Sequence, residues 1–241
     1  MNGDGSARYG LGVDSNALKA RFALLLRLPD DQLPLDVMCL LICQLAGDDI
    51  VIDDEIRRLD DLAVSTEHSF AGIMSSLFGP DGFMRGNTTD YYSADNSLLT
   101  RVLANGMGIP ITMSAVALEC ARRVGVGMVG IGMPGHFIVR SGTDDDLFGD
   151  PFNGGIALDR AGARRLFHSA AGTEAVWHDS YLDPVSSREI LFRILNNLRG
   201  ACERNPRQHA MIGWVLELLG MFAQGASFGP RAIDRAMARY N

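Results

Sequence analysis

Between positions 110 and 124 the chain carries charge only at Glu119, Arg122 and Arg123; everything else is apolar or small. Helical spacing places those three residues in one narrow stripe that extends back towards Thr112. The helix is therefore buried on most of its circumference and needs other layers to cover it. Pro110 suits its first position, where the missing N–H costs nothing. Downstream, residues 130–134 are Gly-rich and apolar, as expected for a strand entering a tight corner. His136, Ile138 and Arg140 then alternate with Phe137 and Val139, which predicts a second strand with one polar face. A turn near Thr143 would set His136 opposite Asp150, Ile138 opposite Phe148 and Arg140 opposite Asp146. That register matches charge with charge and apolar with apolar. A carboxylate beside a histidine fixes the ring's tautomer and orientation, as in the base half of a nucleophilic triad. The helix from Pro110 should pack on this hairpin and bury Ala117, Leu118 and Ala121.

At 241 residues, 47% hydrophobic and 21% charged, the chain has the composition of a globular protein with room for a sizeable core. A net charge of −7 argues against nucleic-acid binding, which needs a basic surface. The four cysteines, Cys39, Cys43, Cys120 and Cys202, each fall in apolar, helix-like runs. Only Cys39 and Cys43 share a helix face, with no second pair to complete a metal site, so they read as buried thiols in a reducing, cytoplasmic setting with no metal. The polar, Gly-rich start has no signal-peptide core, and the longest apolar run, 210–223, is interrupted by Glu217 and too short to span a bilayer.

Four segments are expected. Residues 1–13 read as a disordered tail, 14–80 as a helical segment, 81–185 as a mixed core and 186–241 as a helical tail. Within the second, helices are predicted over 14–28, 34–45, 53–63 and 69–78, the last closed by Gly79-Pro80. The stretch 82–95 is a long irregular loop with Tyr91 and Tyr92, a candidate lip of a cleft. A short helix follows over 97–103, with Asn96 as its cap. Later helices are expected over 160–169, 186–204, 208–224 and 230–240, with Pro206 as a breaker.

Several motifs together carry a resemblance: Asp95-Asn96-Ser97-Leu98-Leu99, Gly108-Ile109-Pro110-Ile111-Thr112-Met113-Ser114, Gly132-Met133-Pro134-Gly135-His136-Phe137, and Asp150-Pro151-Phe152-Asn153-Gly154-Gly155. With Gly86-Asn87, Leu59-Asp60-Asp61 and Arg193-Ile194-Leu195-Asn196-Asn197, the chain resembles the SirB-type transglutaminase-like family over roughly residues 30–205. The resemblance implies an α+β, papain-like core, with a central helix on an antiparallel sheet behind a helical layer; in relatives a tetratricopeptide-like tail often follows. It implies a catalytic cysteine at the start of the central helix, where helix N–H groups favour a thiolate and an oxyanion. Here that place holds residues 108–112 and no cysteine. His136 and Asp150 match the family's histidine and aspartate. Cys120 stands about 12–15 Å further along the helix, too far to substitute.

The candidate site is then His136 and Asp150 as a dyad, Thr112 as a replacement nucleophile, and Tyr91, Tyr92, Asn96, Ile111 and Arg140 as binding residues. Plainer roles stand beside these. Asp150 could cap the turn after it, Thr112 could bond its own backbone, and Arg140 with Asp146 could be a cross-strand ion pair. Two functions fit: a protein without the thiol that holds a peptide or protein partner in the inherited cleft, or a non-thiol amide or ester hydrolase or transamidase using the dyad. A third is a purely structural regulator. No cofactor is expected.

Overall fold

The computed structural model describes residues 14–225. The expected tail 1–13 and the helix over 230–240 lie outside the described residues. Four helices come first: α1 (Ser15–Leu25), α2 (Leu35–Leu45), α3 (Ile52–Val64) and α4 (Phe70–Phe78). α2 is buried from Met38 to Cys43 because almost every one of its side chains is apolar. α3 buries only Ile52, Leu59 and Ala63, which fall along one stripe at helical spacing, and turns its charges outward. α4 starts where Ser69 Oγ accepts from Gly72 N at 3.0 Å, an N-cap that satisfies one of the orphan first-turn donors.

After α4 the chain makes a short strand β1 (Arg85–Gly86), helix α5 (Leu99–Asn105) and strand β2 (Met107–Gly108), which pairs parallel with β1. α5 starts two residues later than expected, and Asn96 belongs to a 3-10 turn, Ala94–Ser97, rather than to its cap. The central helix α6 (Pro110–Arg123) is buried continuously from Pro110 to Ala117. It contacts α3, α4 and a later helix, α8 (Ser187–Arg204), as well as the sheet, which supplies the cover its apolar circumference demands. Ala117 and Ala121 are core residues as expected, whereas Leu118 is half-buried.

The main sheet has the order β6-β5-β4-β3-β7, with β3 (Met128–Ile131), β4 (Ile138–Ser141), β5 (Phe148–Asp150), β6 (Ile156–Leu158) and β7 (Pro184–Val185). Every pairing in it is antiparallel. The β4–β5 hairpin forms, but in a register two residues away from the expected one: Val139 faces Gly149 and Arg140 faces Phe148. His136 lies in the turn before β4, not in the strand. The loop explains the slip. Ser141 N donates to Leu147 O, and Asp144 Oδ1 accepts from Asp146 N, so the acidic residues stay in the turn and cannot pair across strands. Arg140 pairs with Asp145 at 3.1 Å, and Asp146 with Arg160 instead.

Both faces of the sheet are covered. Phe137 and Val139 join the main core with α6 and the helical layer. Ile138 and Phe148 join a smaller cluster with Phe167 of α7 (Arg160–Ala171) and Leu182. The polar strand face expected from alternation is therefore mostly buried. Helix α8 (Ser187–Arg204) opens with a reciprocal cap: Glu189 N donates to Ser186 Oγ, and Ser186 N donates to Glu189 Oε2. Asp30 accepts from Ser187 N and Arg188 N, tying α8 to the helical layer. α9 (Ile212–Gly225) packs Phe222 against Phe22 and Phe192, and Lys19 pairs with Glu217 at 2.6 Å.

The charged stripe of α6 is not a solvated face. Glu119 is buried, and Arg123 reaches Asp36 of α2 at 2.6 Å, Asp60 of α3 at 2.7 Å and Glu119 within its own helix. Arg122 joins Asp36 and Glu119 from the edge. Burial alone would raise the Asp36 pKa, but the hydrogen bonds and charges of the two arginines hold it below the usual carboxylate range. Burial and the nearby Asp36 charge leave Glu119 raised, although both arginines oppose the shift.

Candidate functional site

The turn carrying His136 is fixed from three sides. Gly135 adopts φ +76°, a left-handed conformation that an L side chain resists, and a Cβ there would press to 3.2 Å from Ala170 of α7. Arg193 of α8 donates to the carbonyls of Gly132 and Met133, both at 2.9 Å, and lies 5.4 Å from the Phe137 ring centroid. So one guanidinium gives two carbonyls of a sharp corner a donor, that of Met133 in addition to His136 N.

Held in this way, His136 Nε2 lies 3.0 Å from both carboxylate oxygens of Asp150. The histidine is 8% exposed and the aspartate 0%. Asp150 also accepts from Phe152 N at 3.1 Å, Asn153 N at 3.3 Å and Asn153 Nδ2 at 2.6 Å. Orienting the imidazole and capping the following turn are thus both tasks of one carboxylate. With Nε2–H donated to Asp150, the neutral ring presents Nδ1 as its basic nitrogen. That reverses the serine-protease arrangement, in which the carboxylate takes Nδ1. The pair survives the register correction because a two-residue slip leaves every side chain on its own face.

Phe152 stands edge-on to His136, with ring centroids 6.1 Å apart, and Tyr91 stands edge-on to Phe152 at 5.8 Å. Gly86 is what lets the two segments meet: a Cβ there would lie 2.6 Å from Phe152 O and 2.8 Å from its ring. Arg85 N donates to Gly106 O, and Asn87 N to Gly108 O, which ties the loop to the entry of α6. Asn96 organises the rest. Its side chain accepts from Asn87 Nδ2 and donates to the carbonyls of Asp90 and Tyr91. Its own carbonyl accepts from Thr112 Oγ1 at 2.6 Å.

The hydroxyl of Thr112 is therefore committed to main-chain oxygens, those of Asn96 and Ile109, and accepts from Ile109 N. Ile111 is buried beside it. Tyr91, Tyr92, Asn96, Ile111 and Thr112 are all tied to the loop and to the start of α6; Arg140 is committed to Asp145 in the hairpin turn. All four cysteines are free and buried. Burial pushes the Cys43 thiol up to about 11 and Cys120 to about 12, and raises Cys39 and Cys202 as well. Among the described residues no group of three or more His, Cys, Asp or Glu side chains could hold a metal ion, and no helix is long and apolar enough to cross a membrane.

Sequence reasoning did not assign Arg193 to the corner, nor Phe152 to the wall beside His136. Both lay within the motifs quoted above, but nothing local in the chain shows which distant carbonyl or ring they meet. It also missed Ser97, Asn197 and Arg204, which join Tyr91 and Tyr92 around one pocket.

A mixed fold with a central buried helix, an antiparallel sheet and a histidine–carboxylate pair at the sheet's corner defines a transglutaminase-like class of domain. The profile described as Transglutaminase-like superfamily matches residues 51–196, more than half of the chain, and the protein belongs to that superfamily. It is similar to the UPF0162 protein of Xylella fastidiosa strain Temecula1, at 38% identity over 57% of this chain and 50% of that protein. The UPF0162 protein of Pseudomonas aeruginosa is 30% identical over 60% of this chain and 56% of its own. The chain spans about half the length of these curated relatives. A shorter match, 43% identity over 56 residues, is to the human F-box only protein 21, covering 23% of this chain and 9% of that one. No solved structure matches.

Proposed function

We propose that this is a SirB-type member of the superfamily without thiol chemistry, which holds a peptide or protein partner in the cleft inherited from the catalytic fold. The observation that carries this reading is the state of the α6 entry. The one hydroxyl of its first turn, on Thr112, is donated to the Asn96 carbonyl, and the four thiols are buried with raised pKa values. A covalent mechanism needs an activated nucleophile within reach of its base, and neither group answers that description. What remains is the row of ring contacts His136, Phe152 and Tyr91, with Nδ1 of His136 unused by any described hydrogen bond, which suits recognition better than covalent chemistry. Four reduced, buried cysteines fit a cytoplasmic setting.

The test pairs chemistry with binding. The folded chain is mixed with glutamine-containing peptides and a primary amine, ammonia release is followed, and amide spectra are recorded alongside. Peptide-dependent shifts at His136, Phe152 and Tyr91 without ammonia release support the reading. Ammonia release abolished by iodoacetamide in the folded state would overturn it.

One observation favours a second reading. Asp150 grips Nε2 with both oxygens, which orients Nδ1 as a general base. In that mechanism Nδ1 takes a proton from water, the hydroxide adds to an amide or ester carbonyl, and the same proton passes to the leaving group. Ester or amide hydrolysis that survives iodoacetamide but vanishes in His136→Ala would select it over pure binding.

A further inference from the structure

A cavity of about 470 Å³ lies against the C-terminal half of α6, and His136, Phe152 and Tyr91 take no part in it. Its apolar walls are Leu33, Leu35 of α2, Leu118 of α6, Met128 of β3, Val185 of β7 and Ile190 of α8. β7 pairs with β3 at Gly130 and Ile131 only. The cavity therefore runs along the edge of β3 at Met128 and Val129, which no described strand covers. Four carboxylates line the same space, those of Asp30, Asp31, Asp36 and Glu119, against one guanidinium, that of Arg122. Two of the four are used up by the fold. Asp30 accepts from Ser187 N and Arg188 N, and Asp36 from Val37 N, Arg122 and Arg123.

The other two keep capacity to spare. Glu119 is 6% exposed, and its Oε2 accepts all three arginine bonds, two from Arg122 and one from Arg123. Oε1 accepts from no described residue and is not sealed in, so it opens on the cavity. Asp31 is exposed at the rim, and its carboxylate also accepts from no described residue. Burial and the Asp36 charge keep the Glu119 pKa raised, so the two arginines do not fully compensate it. A further cation at Oε1 would. A guanidinium needs both oxygens of a carboxylate for its paired N–H groups, and Oε2 is taken, whereas a compact ammonium needs one. Apolar walls suit the methylene stem behind that ammonium. The chain's one lysine, Lys19, is held by Glu217, so a lysine in this cavity comes from another chain.

We infer that this cavity binds an extended segment of a protein partner through a lysine whose ammonium meets Glu119 Oε1. The segment's apolar neighbours lie along Leu118, Met128 and Val185, and Asp31 at the rim adds attraction. The volume falls within the range of about 300–1,000 Å³ that holds a drug-sized ligand, more than one alkylammonium fills. The uncovered edge of β3 beside it favours an extended peptide over a free amine. The site is separate from the His136 pair and stands whether or not that pair binds anything.

The experiment uses the full chain and four probes: acetyl-Leu-Lys-Leu-amide, the same peptide with arginine or norleucine in the middle, and n-butylammonium. Amide and methyl signals of Leu118, Met128 and Val185 report binding. The lysine peptide is expected to shift them saturably, with the norleucine peptide at least about tenfold weaker, the usual consequence of losing one charge-assisted contact. Glu119→Gln should remove that lysine-over-norleucine preference. Asp31→Asn, an exposed change that leaves the core alone, should weaken the lysine peptide roughly two- to threefold with Tm unmoved. Equal binding of the lysine and norleucine peptides, or a preference that survives in Glu119→Gln, would overturn the site. So would shifts spread over carboxylates elsewhere, which would reflect only the net charge of −7. Tighter binding of the arginine peptide would rule out the single-oxygen contact. n-Butylammonium binding as tightly as the lysine peptide would rule out the partner segment and leave a free amine as ligand. Should Glu119→Gln fail to fold, the norleucine peptide and Asp31→Asn still decide.

Discussion

The helix α6 connects two regions that both contain buried charge and handle it in opposite ways. Near its C-terminal end, Asp36, Asp60, Glu119, Arg122 and Arg123 form a closed network that bridges α2, α3 and α6. At the corner between β3 and β4, His136 and Asp150 form a pair whose aspartate is saturated with donors while the imidazole keeps a nitrogen unused by any described hydrogen bond. A network in which every charge meets an opposite charge within the protein is architecture. A pair with one basic nitrogen left over holds a group that the described fold does not itself use.

The strongest way to break the comparison is Arg123→Met. It leaves the buried Asp36 and Glu119 with only the exposed Arg122 as cationic partner, and removing one partner from a buried ionic cluster costs about 3–5 kcal/mol. Urea denaturation measures it, and a loss below about 1 kcal/mol would mean the network does not hold the layers together. Next comes Asp150→Ala, which leaves the turn amides of Phe152 and Asn153 without an acceptor as well as freeing His136. About 2–3 kcal/mol is expected, against about 1–2 kcal/mol for His136→Ala. If the histidine variant proves the less stable of the two, the pair is a structural clip centred on the imidazole.

Smaller still is Glu119→Gln, expected to change stability by less than about 1 kcal/mol at neutral pH because it keeps an acceptor for the arginines. Its pH dependence carries the information. Glu119 has a raised folded-state pKa, so its stabilising contribution is present below the unfolded value of about 4.3 and is lost as pH rises through the folded value. Wild type should therefore gain on the Gln variant as pH falls. Asp36 has a lowered pKa, so its contribution is present above about 3.9 and is lost as pH falls through its folded value. Wild type should lose ground to Asp36→Asn in acid. Urea melts across the acid range distinguish these opposite signs.

The last test changes no stability. With Cys43 near 11 and Cys120 near 12, native-state alkylation by iodoacetamide at mildly alkaline pH should run roughly a hundredfold slower than in urea, since only the thiolate reacts. Mass spectrometry reads it. Fast native alkylation at Cys120 would reopen thiol chemistry on α6.

Much of this molecule was legible along the chain. α2, α3 and α6 came out within a residue or so at each end because their apolar periodicity, Pro110 and the acidic first turn of α3 are local signals. The His136–Asp150 pairing was legible too, although through a register two residues off. Period-two alternation preserves faces under that slip and so protected the pairing from the error. Other sequence readings failed for a common reason. Arg140 was matched with Asp146 by charge alone, and Glu119 with its neighbouring arginines read as a helix stripe with no sign of Asp36.

What the sequence by itself determined is the α+β class, the buried central helix and the identity of the histidine and its carboxylate. The helix and the pair follow from periodicity, caps and turn residues, whose physics acts over a few positions, and the α+β class from the family resemblance that the motifs carry. Only the tertiary structure decided that Arg193 braces the corner, that Asp36 meets Arg123 from 87 residues away, and that Ser97 meets Asn197 and Arg204 around one pocket. Those contacts depend on where whole helices come to rest against the sheet. Packing fixes that position through the sum of many weak, non-directional contacts, and no single residue encodes it.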